Sequence, residues 1–133
     1  MSITSTRKTM MKYFDAEHGD VSMMADDIVF TMMSTGEETV GPKAVLQLLT
    51  YFYHTAFDAR AEARNLIFSE DRAVYEGHFI GKHIGEFAGI PATNKSINMP
   101  FTVVYDLENE QIKRARIYFE IAALMSQLSG SPN

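Results

Sequence analysis

The chain contains no cysteine, so disulfide bridges and thiolate metal sites are excluded. It has no apolar run approaching the ~18 residues that a membrane-spanning helix needs. No glycine-rich phosphate loop occurs, nor a His-Glu-x-x-His spacing or a carboxylate-rich metal cluster, so no metal site is expected. Cations are in the minority: 12 Lys and Arg stand against 17 Asp and Glu, a net charge of −5. The densest basic cluster, Lys113-Arg114-Ala115-Arg116, is too short and mixed for a nucleic-acid footprint, which needs clustered Lys and Arg against phosphates. Neither nucleic acid nor a membrane is expected as a partner. The first residues, Met1 to Lys8, lead into an amphipathic pattern and not into a signal-peptide core, so a cytoplasmic protein is expected.

What is present suits one globular domain over residues 1–133, with 46% hydrophobic and 22% charged residues. Ser5 or Thr6 can cap a helix carrying Met10, Met11 and Phe14, and His18-Gly19 can stop it. Asp20 can cap a short helical turn through Met24. Ile28 to Met33 is β-branched and aromatic and predicts a strand, ended by Ser34 to Glu38. Gly41-Pro42 opens the clearest helix, whose stripe is Val45, Leu48, Leu49, Phe52 and Ala56. Strands follow over 61–68, 72–87, 96–107 and 112–120. In the third of these, Met99, Phe101, Val103, Tyr105 and Leu107 share one face. Ile121, Leu124, Met125 and Leu128 make a final helical stripe, and Ser129 to Asn133 reads as a loose tail. Helices first and a meander second predict an α+β fold.

The last strand offers chemistry. Its period of two puts Arg114, Arg116, Tyr118 and Glu120 on one face and Ala115, Ile117 and Phe119 on the other. The plainer reading leaves the polar four in water over an apolar core. The sharper reading sets Glu120 at the floor of a pocket, with Arg116 and Tyr118 on its wall. A base, a cation and a phenol would then be aligned for proton abstraction beside a carbonyl. In that case Ala115, Ile117 and Phe119 need another cover, and a second subunit is the natural one. His78 and His83, five apart, face opposite sides of their strand. Either could act as acid or base, though a structural role is commoner. His18 and His54 carry no evident chemistry. Nine methionines, many paired in the N-terminal third, read as flexible core filler.

The run Gly81-x-His83-x-Gly85-Glu86-Phe87-x-Gly89-Ile90-Pro91-x-Thr93-x-Lys95 resembles a motif of SnoaL-like polyketide cyclases, in the nuclear transport factor 2-like superfamily. Arg116-x-Tyr118-Phe119-Glu120, Asp27-x-Val29-Phe30 and the Gly41-Pro42 helix start fit the same family. The resemblance implies a cone-shaped α+β barrel of cystatin-like kind, its strongly curved antiparallel sheet wrapped around N-terminal helices. It also implies a homodimer packed through the sheet and acid/base chemistry without metal or cofactor on an apolar, carbonyl-bearing small molecule. Glu120 would be the acid/base, Arg116 and Tyr118 would orient substrate, and His83 is a weaker fourth candidate. Phe30, Met32, Phe52, Tyr75 and Phe101 are expected to line the pocket. The family usually has Asp where Glu120 stands, and a carboxylate misplaced by ~1 Å can cost on the order of 100-fold in rate. Cyclase or isomerase chemistry is the first expectation, a non-catalytic ligand-binding or dimerisation module the second, and epoxide hydrolysis the third.

Overall fold

The computed structural model describes residues 1–16 and 19–129. The expected stop at His18 and the tail beyond residue 129 lie outside the described residues. Helix α1 (Ile3–Asp15) is capped by Ser2, one turn before the expected Ser5. The Ser2 hydroxyl accepts from the Ser5 N–H at 3.0 Å, and Ser5 returns the favour to the Ser2 N–H at 3.0 Å, a capping box. Thr6, the other cap candidate, is instead buried and donates to the Glu70 carbonyl at 2.6 Å. The helix therefore docks on the turn at Glu70 through a polar contact, and buries Met10 and Tyr13.

Strand β1 (Met24–Met32) begins earlier than Ile28, at the point where a short helical turn was expected. Asp20 accepts from the Ser22 N–H at 2.8 Å, an Asx turn that leads directly into the strand. Strand β2 (Glu37–Val40) forms a hairpin with β1 that the sequence pattern did not announce, because only four largely exposed residues form it. Helix α2 (Pro42–Thr50) runs into a single π-helical turn, Tyr51–Thr55, closed by the Ala56 N–H donating to the Tyr51 carbonyl at 2.7 Å. Then come β3 (Phe57–Phe68), β4 (Arg72–His83), β5 (Ser96–Glu108), β6 (Gln111–Phe119) and helix α3 (Ile121–Ser129).

The six strands form one curved sheet in the order β2-β1-β6-β5-β4-β3. The expected all-antiparallel pattern is broken once: β1 and β6 run parallel, with Phe30 opposite Ala115 and Met32 opposite Ile117. A parallel pair needs a long connection. Here α2, the π turn and the four intervening strands supply it. Strand β4 ends at His83, not at Phe87, because its partner β5 starts at Ser96, paired with Lys82. Asn109 and Glu110 turn β5 into β6, both at positive φ (52° and 64°), as a two-residue hairpin loop requires.

Alternation decides what is inside. Tyr75 and Phe79 on β4, Met99, Phe101, Val103 and Tyr105 on β5, and Ala115 and Ile117 on β6 are buried beneath the helices. The apolar face of β6 is therefore covered by this chain itself. Ala115, Ile117 and Phe119 therefore do not need a second subunit as cover, and Phe119 packs edge-on against Phe52 at 5.4 Å between ring centres. Among the described residues no helix is long and apolar enough to cross a membrane.

Candidate functional site

The inner face of the sheet and the helices enclose a cavity of about 440 Å³. That size lies within the range of small-molecule sites, which are concave, mostly apolar and set with a few polar groups. Phe30, Met32, Phe52, Tyr75 and Phe101, the five side chains expected to line a pocket, all line it. Leu48 and Leu49 of α2, Val103 of β5, and Ile117 and Phe119 of β6 complete most of the apolar wall. The five come together because Phe30 and Phe101 occupy inward positions of their strands, and Phe52 is buried against the cavity from the π turn. Phe52, Tyr53 and His54 are consecutive, and all three reach the cavity from that turn. π turns recur at functional sites.

Four tyrosines supply the polar component: Tyr13, Tyr53, Tyr75 and Tyr105. Burial pushes all four hydroxyls above the ordinary tyrosine range, most strongly Tyr13, Tyr53 and Tyr105, because the phenolate has no water to solvate it. They are therefore neutral at physiological pH and able to donate hydrogen bonds. Tyr13 and Tyr105 share a hydrogen bond, and their rings meet edge-on at 5.8 Å. Tyr75 stacks at a tilt on Phe101, 5.5 Å away. Among the described residues, His54 and Arg60 are the basic residues on the lining, and none of the lining residues is a carboxylate. Among the described residues no group of three His, Asp or Glu side chains could hold a metal ion.

The expected polar line on β6 is placed elsewhere, and its geometry is corrected. Arg116 and Tyr118 alternate with inward Ala115 and Ile117, so they lie on the outer face of the sheet. Arg116 there donates to both oxygens of Asp106, from Nη1 at 2.6 Å and from Nη2 at 3.1 Å. Tyr118 is 44% exposed. Glu120 is also exposed, because it follows the last β5–β6 pair, Phe101 with Phe119, and its carbonyl accepts the Leu124 N–H as α3 begins. Neither Glu120, Arg116, Tyr118 nor His83 lines the cavity. The plainer reading of the strand describes the molecule.

The pair on the outer face has a measurable consequence. Arg116 holds the Asp106 carboxyl below its usual range, opposed by partial burial and aided by Arg72 and Arg114. A depressed carboxylate pKa contributes stability above its unfolded value, about 3.9, and loses it as pH falls through the folded value. Asp106→Asn should therefore lower the urea midpoint at pH 7 and flatten its decline below about pH 4. Parallel midpoint-versus-pH curves for the variant and the wild type would contradict this.

His83 has a different task from the one a catalyst would have. It is fully buried, its Nδ1 lies 2.9 Å from Thr93 Oγ1, and it accepts the Thr93 N–H at 3.2 Å. Its backbone N–H donates to the Lys95 carbonyl at 3.0 Å, and its carbonyl accepts from the Asn94 N–H at 2.9 Å. The glycine-rich motif is thus a loop whose two ends are pinned together at His83. His78, on the opposite face, bonds Asn98 Oδ1 at 2.6 Å across to β5. The residues that sequence reasoning missed are Tyr13, Tyr53, Tyr105, His54 and Arg60. Tyr105 was within reach, since it shares its strand face with Phe101. The others depend on how α1, the π turn and the edge strand meet.

Comparison with known proteins bears on the whole arrangement. The family profile for SnoaL-like polyketide cyclase matches residues 16–128. A solved candidate SnoaL-like polyketide cyclase from Jannaschia sp. CCS1 superposes with a TM-score of 0.85 at 18% identity, over 97% of this chain and 94% of that one. A candidate polyketide cyclase from Silicibacter reaches 0.83 at 19% identity, over 98% and 99% of the two chains. A candidate ketosteroid isomerase from Kribbella flavida reaches 0.68 at 15%, over 88% and 78%. At such identities the likeness establishes the fold. No functionally curated protein matches in sequence. With a profile match over nearly the whole chain, and an α+β fold built round one helix-covered cavity, this protein belongs to the SnoaL-like polyketide cyclase family.

Proposed function

We propose that this protein binds an apolar, ring-containing small molecule in the tyrosine-lined cavity, and that binding, not Glu120-driven catalysis, is its primary activity. The observation that carries this reading is the lining itself. An aromatic wall suits a flat apolar body, and neutral buried hydroxyls suit a carbonyl or hydroxyl on it. Among the described residues the lining holds no carboxylate base, and Glu120 lies outside it.

A second reading is proton transfer beside a carbonyl, as the names of the cyclase and isomerase neighbours suggest. The hydrogen-bonded Tyr13 and Tyr105 favour it, since paired hydroxyl donors in an apolar cavity stabilise a developing enolate oxygen. In that reading His54 is, among the described lining residues, the side chain whose chemistry suits a proton acceptor.

The binding reading is tested with N-phenylnaphthylamine, a neutral fluorescent probe. Ala61→Phe and, separately, Ala59→Phe place a ring in the cavity from β3 and should weaken probe binding at least about tenfold, equivalent to ~1.4 kcal/mol. Glu120→Gln should bind the probe as the wild type does. Unchanged affinity in both alanine variants, with native circular dichroism, would sink the proposal; a collapse of binding in Glu120→Gln would return the site to β6.

A further inference from the structure

We propose that the open edge of β3 is an interaction surface for a second copy of this chain, which pairs there antiparallel about Ala61. Strand β3 ends the sheet and, among the described residues, pairs with β4 alone. It is 12 residues long, and its pairing is regular from Phe57 to Ala63, with a register shift between Ala63 and Asn65. The Ala56 carbonyl accepts from the Ile84 and Gly85 N–H groups, so it points to the side of β4. Alternation then turns the N–H and C=O groups of Phe57, Ala59, Ala61 and Ala63 to the open edge. Such an edge is a template for another strand. Edges are commonly blunted by lysine or proline, and β3 contains neither.

The residues of the edge select its occupant. Asp58, Arg60, Glu62 and Arg64 alternate in sign, and the alanines between them present no bulk to an incoming strand. Antiparallel pairing about Ala61 sets Arg60 opposite the partner's Glu62 and Asp58 opposite the partner's Arg64. Symmetry repeats both, so four pairs of opposite charge form. A slip of two residues in either direction brings Glu62 against Glu62 or Arg60 against Arg60. A slip of one sets charged positions against alanines. The same register brings Ala61 to the partner's Ala61 and Ala59 to the partner's Ala63, the positions whose backbone groups face outward. One register therefore satisfies charge and backbone together.

Within one chain Glu62 is shared by Arg60, at 3.3 Å, and Arg64, at 2.7 Å. All three side chains are largely exposed, so these contacts yield at little cost to partners across the edge. A single strand pair is small beside the ~1,200–2,000 Å² of stable complexes, so the association is weak and concentration-dependent. It differs from packing through the outer face of the sheet, which would leave the β3 backbone edge open.

Sedimentation of the full chain over a range of concentrations tests this. The 15.0 kDa monomer should give way at high concentration to a species of twice that mass, and added salt should reverse the shift. Arg60→Glu and, separately, Glu62→Arg place like charges opposite each other twice, and each should weaken association at least about tenfold. Mixing the two variants restores both pairs, so proteins that stay monomeric alone should associate when combined in equal amounts. The double variant, Arg60→Glu with Glu62→Arg, should dimerise as the wild type does. A wild type that stays monomeric at every concentration would overturn the proposal. So would a dimer that both single variants leave intact, since the contact would then lie on another surface. If the two single variants, each with native circular dichroism, fail to associate on mixing, the pairing about Ala61 is refuted.

Discussion

Phe79→Ala is expected to destabilise the protein by about 3–5 kcal/mol, the range for truncating a buried aromatic ring. Phe79 is fully buried at the meeting point of four elements. Its ring centre lies 5.1 Å from Tyr53 on the π turn and 5.4 Å from Phe57 on β3. It lies 6.5 Å from Phe101 on β5 and 6.0 Å from Phe119 on β6. Removing it leaves a void behind Tyr53, Phe101 and Phe119, three residues of the cavity wall. None of these rings can close the gap without leaving its other partners. Against a total stability of roughly 5–15 kcal/mol, such a loss moves the urea midpoint far while the slope stays constant. Phe79→Leu, which keeps most of the volume, should cost much less. A loss under about 1 kcal/mol for the alanine variant would mean that the aromatic array does not hold these elements together.

Gly81→Ala should be the second most damaging single change, at about 3 kcal/mol, the upper end for inserting one carbon into a packed site. Gly81 faces Ala59 across the β3–β4 ladder. A Cβ there would collide with the Asp58 carbonyl oxygen and stand 2.6 Å from the Ala59 Cα. Both obstacles are backbone, so the edge strand itself must move. Because β3 also carries Ala59 and Ala61 into the cavity lining, probe binding should weaken with it. Gly89 is the informative contrast within the same motif. Its φ is +81°, but a Cβ there would meet nothing within 4 Å. Gly89→Ala should therefore cost only the left-handed backbone strain, about 1–2 kcal/mol. Urea titrations of the two variants separate the reasons, and a Gly81→Ala protein as stable as Gly89→Ala would refute the close-approach argument.

The motif that first marks the family is, in three dimensions, a structural device. Gly81 lets two strands approach, and His83, held by Thr93, joins the ends of the loop that follows. Its residues are conspicuous in the sequence because unusual backbone geometry demands particular residue types. Chemistry need not be present for a motif to look so regular.

Periodicity made the sheet legible. Alternation along β5 placed Met99, Phe101, Val103 and Tyr105 on one face, and the structure turns that face inward. The α+β class, the proline-started helix and the family were also readable, since each depends on local pattern or on residues close in sequence. Alternation divides a strand into two faces, however, without saying which is inside. On β6 that choice rested on what lies above the strand: α1, α2 and the π turn cover Ala115 and Ile117, so Arg116 and Tyr118 point outward to Asp106 and solvent. Tertiary packing likewise decided that β6 lies parallel to β1 and that Tyr13 meets Tyr105 from 92 residues away in the chain. Such contacts join segments whose separation carries no local signal, because the free energy that brings them together belongs to the assembled core and not to any one stretch of chain.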